Sequence, residues 1–173
     1  MTNRDAILEH LIKTEWPNLR RFFRTKVPEG EVLDLVQTTM LAYVEGAGPK
    51  EPGKEKQYLM GIARNQVLKY YDSKHRRGGE AFNSELHRVT DLGPSLSSKL
   101  DNRNRVVLAL QSLTADEQMA IELRHGADMK IDEIAEAMEK SPATVKRYIA
   151  SGEEKLRAQL GDMEAVSETY KNL

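Results

Sequence analysis

The sequence predicts an all-α protein built of two small helical domains joined by a linker, and three observations carry that prediction. Apolar residues recur at three- and four-residue steps along most of the chain, the spacing that lines one face of a helix. Helix-start signals head several of these stretches, most plainly Thr114-Ala-Asp-Glu117 and Ser141-Pro142. Residues 78–99, GGEAFNSELHRVTDLGPSLSSK, lose the periodicity and gain Gly, Pro and Ser. A stretch of that length is too long for a connection inside a compact domain and marks a boundary. The expected division is residues 1–77, a linker at 78–99, and residues 100–173 with a helix-turn-helix in the second unit.

In the first unit Ile7, Leu8, Leu11 and Ile12 describe a helix that Trp16-Pro17 ends, starting another. Leu19, Phe22 and Phe23 give the second helix its core face, while Arg20, Arg21, Arg24 and Lys26 are expected to stay exposed. After a turn at Pro28 and Gly30, the pattern Val32, Leu33, Leu35, Val36, Met40, Leu41 and Val44 is more apolar than burial in a small bundle requires. Asp34, Gln37 and Thr38 are among its polar positions. Residues 46–53, GAGPKEPG, form a loop by composition.

The helix Tyr58 to Arg77 follows, with a buried stripe drawn from Tyr58, Leu59, Ile62, Gln66 and Leu68. Arg64, Asn65, Lys69, Lys74, Arg76 and Arg77 project from it, interleaved with Tyr70 and Tyr71. Aromatic faces can stack on unpaired bases while neighbouring cations hold the phosphates. The same pattern also fits an amphipathic helix whose basic end complements its own dipole.

The second unit opens with a helix bearing Val106, Val107, Leu110 and Leu113. The capping box at Thr114 starts another with Met119, Ile121 and Leu123, closed by His125-Gly126. Ile131, Ile134, Ala135 and Met138 then make a short helix, Glu139 and Lys140 break the pattern, and Ser141-Pro142 starts the last helix, with Val145, Ile149 and Leu156 on its apolar stripe. Two helices joined by so tight a turn match the helix-turn-helix, whose second helix enters the major groove. Ser141, Thr144, Lys146, Arg147 and Tyr148 would stand at its DNA-facing start. Any pair of antiparallel helices with a solvated polar face fits the spacing too. Residues 161–173 form a polar tail that either extends the last helix or frays.

Composition excludes several classes. There is no cysteine, so no disulfide, thiolate zinc site or cysteine nucleophile. His10, His75, His87 and His125 are scattered without metal-ligand spacing, and no metal or other cofactor is expected. No phosphate-cradling glycine loop or nucleophile paired with a base is present, so the chain does not read as an enzyme. No apolar run approaches the ~18 residues of a membrane span, and the charged start MTNRDAILEH does not read as a signal peptide. The expected location is the cytoplasm, with no membrane insertion. The net charge of −1 argues against a protein that grips DNA unaided. Charge is nonetheless segregated: residues 54–77 hold seven cations against two carboxylates, and residues 29–46 hold four carboxylates and no base. That asymmetry suggests one face for nucleic acid and another for protein.

The order DLVQ at 34–37, YLMGIARNQVLKYY at 58–71, a linker, then SLTADEQMAIELRH, DEIAEAM and SPATVKRYI resembles the extracytoplasmic-function sigma factors of bacterial RNA polymerase, of the sigma-70 family. The resemblance spans nearly the whole chain. It implies a promoter-recognition subunit whose DLVQ helix docks on the clamp helices of the polymerase largest subunit, through Asp34, Gln37, Thr38 and Leu41. It further implies capture of the single-stranded minus-10 element by Tyr58, Arg64, Asn65, Lys69, Lys74, Arg76 and Arg77, and reading of the minus-35 duplex by Ser141, Thr144, Lys146, Arg147 and Tyr148. Tethering to the polymerase raises the effective concentration of each DNA contact, which reconciles the near-neutral charge with promoter binding.

Two departures from the family pattern stand out. Carboxylates are usual where this chain has Leu33 and Thr38, so docking on a basic partner surface is expected to be weak. Phosphorylating Thr38 or Thr39 would add about −1.5 to −2 charges; a Ser/Thr kinase is thus an expected activator, with an anti-sigma factor as the ordinary alternative control. Beyond Tyr148, Ala150, Ser151, Gly152, Glu153 and Glu154 stand where basic residues are common, leaving Lys146, Arg147, Lys155 and Arg157 to anchor phosphates. The competing functions are a stand-alone helix-turn-helix regulator and a protein-only anti-sigma decoy or adaptor.

Overall fold

The structure, a computed structural model, describes residues 3–79, 81–88 and 102–173. Its helices are α1 (Asn3–Arg24), α2 (Glu29–Glu45), α3 (Glu55–Arg76), α4 (Asn102–Gln111), α5 (Ala115–Ile121), α6 (Ile131–Met138), α7 (Pro142–Leu160) and α8 (Met163–Lys171). A π-helical turn, Glu122–Gly126, continues α5. Among the described residues the only extended pairing is an isolated bridge between Arg88 and Thr114. The fold is all-α.

α1, α2 and α3 pack on one another, and α4 to α8 form a second group in which α5 crosses α7 and α6 lies against α7. Most of the expected helices form where the apolar spacing puts them, and the caps explain the boundaries. Thr114 accepts from the Glu117 amide while Glu117 returns a bond to the Thr114 amide. Ser141 accepts from the Thr144 amide, with Pro142 at the first helical position. Between α6 and α7 the chain turns through Glu139 in the left-handed region, φ 53°.

Four expectations are corrected. Pro17 lies inside one continuous α1, because Leu11 on one side and Leu19, Phe22 and Phe23 on the other bury into the same core and outweigh one lost backbone bond. Lys26 is fully buried, its ammonium lying over the Phe22 ring and beside Glu122. The tail does not fray. Gly161 turns the chain at φ 84°, Asp162 caps α8, and Val166 and Tyr170 bury. Finally, the buried stripe of α3 runs through Leu59, Met60, Ala63, Val67 and Tyr71 rather than Ile62 and Leu68.

The relative placement of the two groups is not set by any sequence signal. They lie face to face, α3 against α6, and their buried apolar side chains form one continuous cluster. Gly61 permits this approach, since a Cβ there would stand 3.3 Å from the Ala137 carbonyl. Of the expected linker, residue 80 and residues 89–99 lie outside the described residues, but 81–88 dock on the molecule. Phe82 packs on Tyr71 and His87 on His75, and the Ser84 hydroxyl donates to Asp116 at 2.9 Å.

Candidate nucleic-acid and protein interfaces

The start of α7 holds the helix-turn-helix residues. Ser141 is exposed and committed to its cap, with Thr144 Oγ1 2.9 Å from its hydroxyl. Lys146 and Arg147 are exposed and adjacent, and neither forms an ion pair among the described residues. Arg147 lies over the Tyr148 ring, 5.5 Å from its centroid. Tyr148 itself is buried, and its hydroxyl donates to Glu85 at 2.7 Å. Burial, followed by that bond, pushes the phenol well above its ordinary value, while the same bond and Lys140 hold the exposed Glu85 carboxyl below the usual range.

The unusual stretch after Tyr148 has a packing explanation. Gly152 sits where α7 crosses α5, and a Cβ there would stand 2.8 Å from the Ile121 side chain. Ser151 and Lys155 both donate to Glu117, the latter at 2.7 and 2.8 Å. Glu153 takes His125 at 2.8 Å and Arg157 at 3.2 Å. Lys155 and Arg157 are therefore engaged within the protein, and Lys146 and Arg147 are the cations of α7 without an ion pair among the described residues.

The α3 residues divide. Asn65, Lys69, Lys74, Arg76 and Arg77 are exposed, and Tyr58 is half-buried against Tyr43 with ring centroids 5.7 Å apart. Lys74 lies over the Tyr70 ring. Arg64 is 6% exposed and donates to the buried Asp116 at 3.3 Å. Around it, Gln57 donates to Glu133 at 2.9 Å and Lys54 to Glu136 at 3.0 Å, both on α6. Tyr71 is buried and gives its hydroxyl to the Lys26 carbonyl, so it offers no free face, whereas Tyr70 is half-buried. A cavity of about 440 Å³ opens between the 47–50 loop, Tyr58, Asn65 and Glu136–Glu139.

α2 has two faces. Val32, Val36, Met40 and Tyr43 are buried, whereas Leu33 and Leu41 are 49% and 57% exposed and share the outer face with Asp34, Gln37, Thr38 and Val44. Thr39 is fully buried and donates to the Leu35 carbonyl at 2.7 Å. Among the described residues no cluster of three metal-binding side chains is present, and no helix is long and apolar enough to cross a membrane.

Sequence reading missed the residues that join the two helix groups: Lys26, Asp116, Glu122, Glu85 and Tyr170. Only α8 carried a legible signal. Gly161-Asp162 followed by Met163, Val166 and Tyr170 has the spacing of a capped amphipathic helix.

Residues 103–156 match the family described as Sigma-70, region 4. Over 165 residues the chain is 30% identical to the RNA polymerase sigma factor CarQ of Myxococcus xanthus, covering 90% of each. Its fold is similar to that of the sigma factor RpoE in the co-crystal structure with the anti-sigma factor NepR from Bartonella quintana. That similarity has a TM-score of 0.65 at 23% identity and covers 88% of this chain and 95% of that one.

Proposed function

This chain belongs to the extracytoplasmic-function sigma factors of the sigma-70 family, and on that premise we propose how it divides the work of promoter recognition. α2 docks on the clamp helices of the largest polymerase subunit, α3 and its preceding loop capture the opened minus-10 strand, and the start of α7 reads the minus-35 duplex. The chain works in the cytoplasm with core polymerase and promoter DNA, and the chemistry stays with the polymerase.

One observation supports this division best. An apolar row of two half-exposed leucines beside Asp34 and Gln37 is out of place on a solvated helix and suits a protein partner. The test is run-off transcription by core polymerase, supplied with this chain, from a pool of upstream DNA fragments. Selective initiation that Leu41→Arg abolishes is the expected result. Duplex binding without polymerase would favour a stand-alone regulator, and no DNA binding in either condition would favour a protein-only adaptor.

Control acts at the same helix. Thr38 is exposed one turn from Asp34, while the Thr39 hydroxyl is buried, so a Ser/Thr kinase would reach Thr38. Phosphate there adds about −1.5 to −2 charges to an under-charged docking face. Full polymerase binding by the unmodified chain would overturn this switch and leave an anti-sigma factor, the partner in the Bartonella complex, as the controller.

A further inference from the structure

Residues 83–87 form a turn of their own. The main-chain amides of Leu86 and His87 both donate to the Asn83 carbonyl, at 3.2 and 2.9 Å. The Asn83 side chain accepts from the Glu85 amide, and the Asn83 amide donates to Nδ1 of His87, each at 2.9 Å. This turn completes the start of α5. A helix begins with amides that have no partner within it. In α5 the Ala115 amide donates to the His87 carbonyl at 3.2 Å, the Asp116 amide to the Ser84 carbonyl at 3.0 Å, and the Glu117 amide to the Thr114 hydroxyl. The turn is therefore seated on the helix that α7 crosses at Gly152.

From this seat the turn holds Glu85 against the start of α7. One oxygen, Oε1, accepts from the Tyr148 hydroxyl at 2.7 Å and from the Lys140 ammonium at 3.2 Å. Lys140 is steadied from a second side by Asp116, 3.7 Å away. Tyr148 in turn carries the Arg147 guanidinium over its ring. The bond from its hydroxyl is charge-assisted, because that bond and Lys140 keep the Glu85 carboxyl below its usual range and ionised. Holding the far end of the ring stops it from swinging. The cation resting on the ring face is steadied with it.

We propose that Glu85 is a positioning residue for duplex reading: by holding the Tyr148 hydroxyl it fixes the ring on which Arg147 lies, so that residues 83–88 belong to the DNA-reading unit. The inference rests on the role proposed above for the start of α7. It reverses the sign that charge alone predicts. A carboxylate beside DNA phosphates repels them, so its removal should strengthen binding. A positioning role makes Glu85→Ala weaken binding instead, because the ring is released. Glu85→Gln is spared, since its amide oxygen still accepts from the hydroxyl.

The test uses the full chain bound to core polymerase, on a promoter that the wild type selects, with affinity followed through a salt titration. Glu85→Ala should weaken the promoter complex roughly fivefold and lower the salt slope by about one phosphate contact, as loss of Arg147 would. Tyr148→Phe keeps the ring and removes the hydroxyl. It should do the same, and the double variant should lose no more than either single one. Glu85→Gln should bind at least as well as wild type. Glu85→Ala binding that equals or exceeds wild type would overturn the proposal and leave the carboxylate a brake on DNA binding. Losses that add in the double variant would overturn it too. Thermal unfolding of the same variants reads the coupling of Glu85 and Tyr148 without DNA. Coupling in a chain that initiates on no promoter would overturn the role given to α7 and, with it, that of Glu85; a selective wild type with an indifferent Glu85→Ala overturns the role of Glu85 alone.

Discussion

Lys155, on the helix expected to read DNA, gives its ammonium to Glu117 of α5 through bonds of 2.7 and 2.8 Å. A cation that would otherwise anchor a phosphate instead fastens α7 to α5. Lys146→Ala or Arg147→Ala should therefore cut promoter output about tenfold each and lower the salt dependence of DNA binding by about one phosphate contact. Lys155→Ala should leave that salt slope unchanged and lower thermal stability. A salt titration of promoter binding by the three variants separates these roles.

The same pair sets a pH response. Burial disfavours charge on Glu117, but Lys155, Ser151 and the Thr114 amide outweigh it and hold the carboxyl below its ordinary value of 4.5. The folded chain thus binds fewer protons than the unfolded one. The stabilisation is fully present above pH 4.5 and is lost as pH falls through the lower folded value. Glu117→Gln should melt lower at pH 7, by the equivalent of about 1–2 kcal/mol. Its melting curve should then approach that of wild type on acidification below pH 4.5. Parallel melting profiles across that range would contradict the assignment.

Gly126 has no room for a side chain. A Cβ there would lie 2.0 Å from Cε1 of Tyr170. Gly126→Ala should destabilise the protein by about 1–3 kcal/mol through overpacking. The cost should largely vanish in a Tyr170→Ala background, and chemical denaturation of the single and double variants reads that coupling directly.

Thr38 and Thr39 are adjacent in sequence and opposite in environment. Thr38→Glu should strengthen core polymerase binding without changing stability. Thr39→Glu would drive a carboxylate into a fully buried site and should cost about 3 kcal/mol or more. Pull-down on core polymerase, paired with thermal unfolding of the same variants, checks both.

Local chemistry alone determined the helices and most of their ends. Apolar spacing fixed α2, α6 and α7, and the Thr114 and Ser141 caps placed the starts of α5 and α7, because these depend on neighbours three or four residues away. The exposed Lys146, Arg147, Asn65 and Thr38 were legible for the same reason. What lies between sequence-distant residues was not. Lys26 read as a surface cation until Glu122, ninety-six residues on, was placed against it. The bonds from Tyr148 to Glu85 and from Arg64 to Asp116 likewise join residues 63 and 52 positions apart, beyond the reach of any local pattern. A charge pattern gives the face of a helix and not what covers that face, since the covering surface belongs to a different part of the chain. The helices and their polar faces were thus written locally, and the tertiary structure alone decided that the two helix groups close on each other through a buried polar seam.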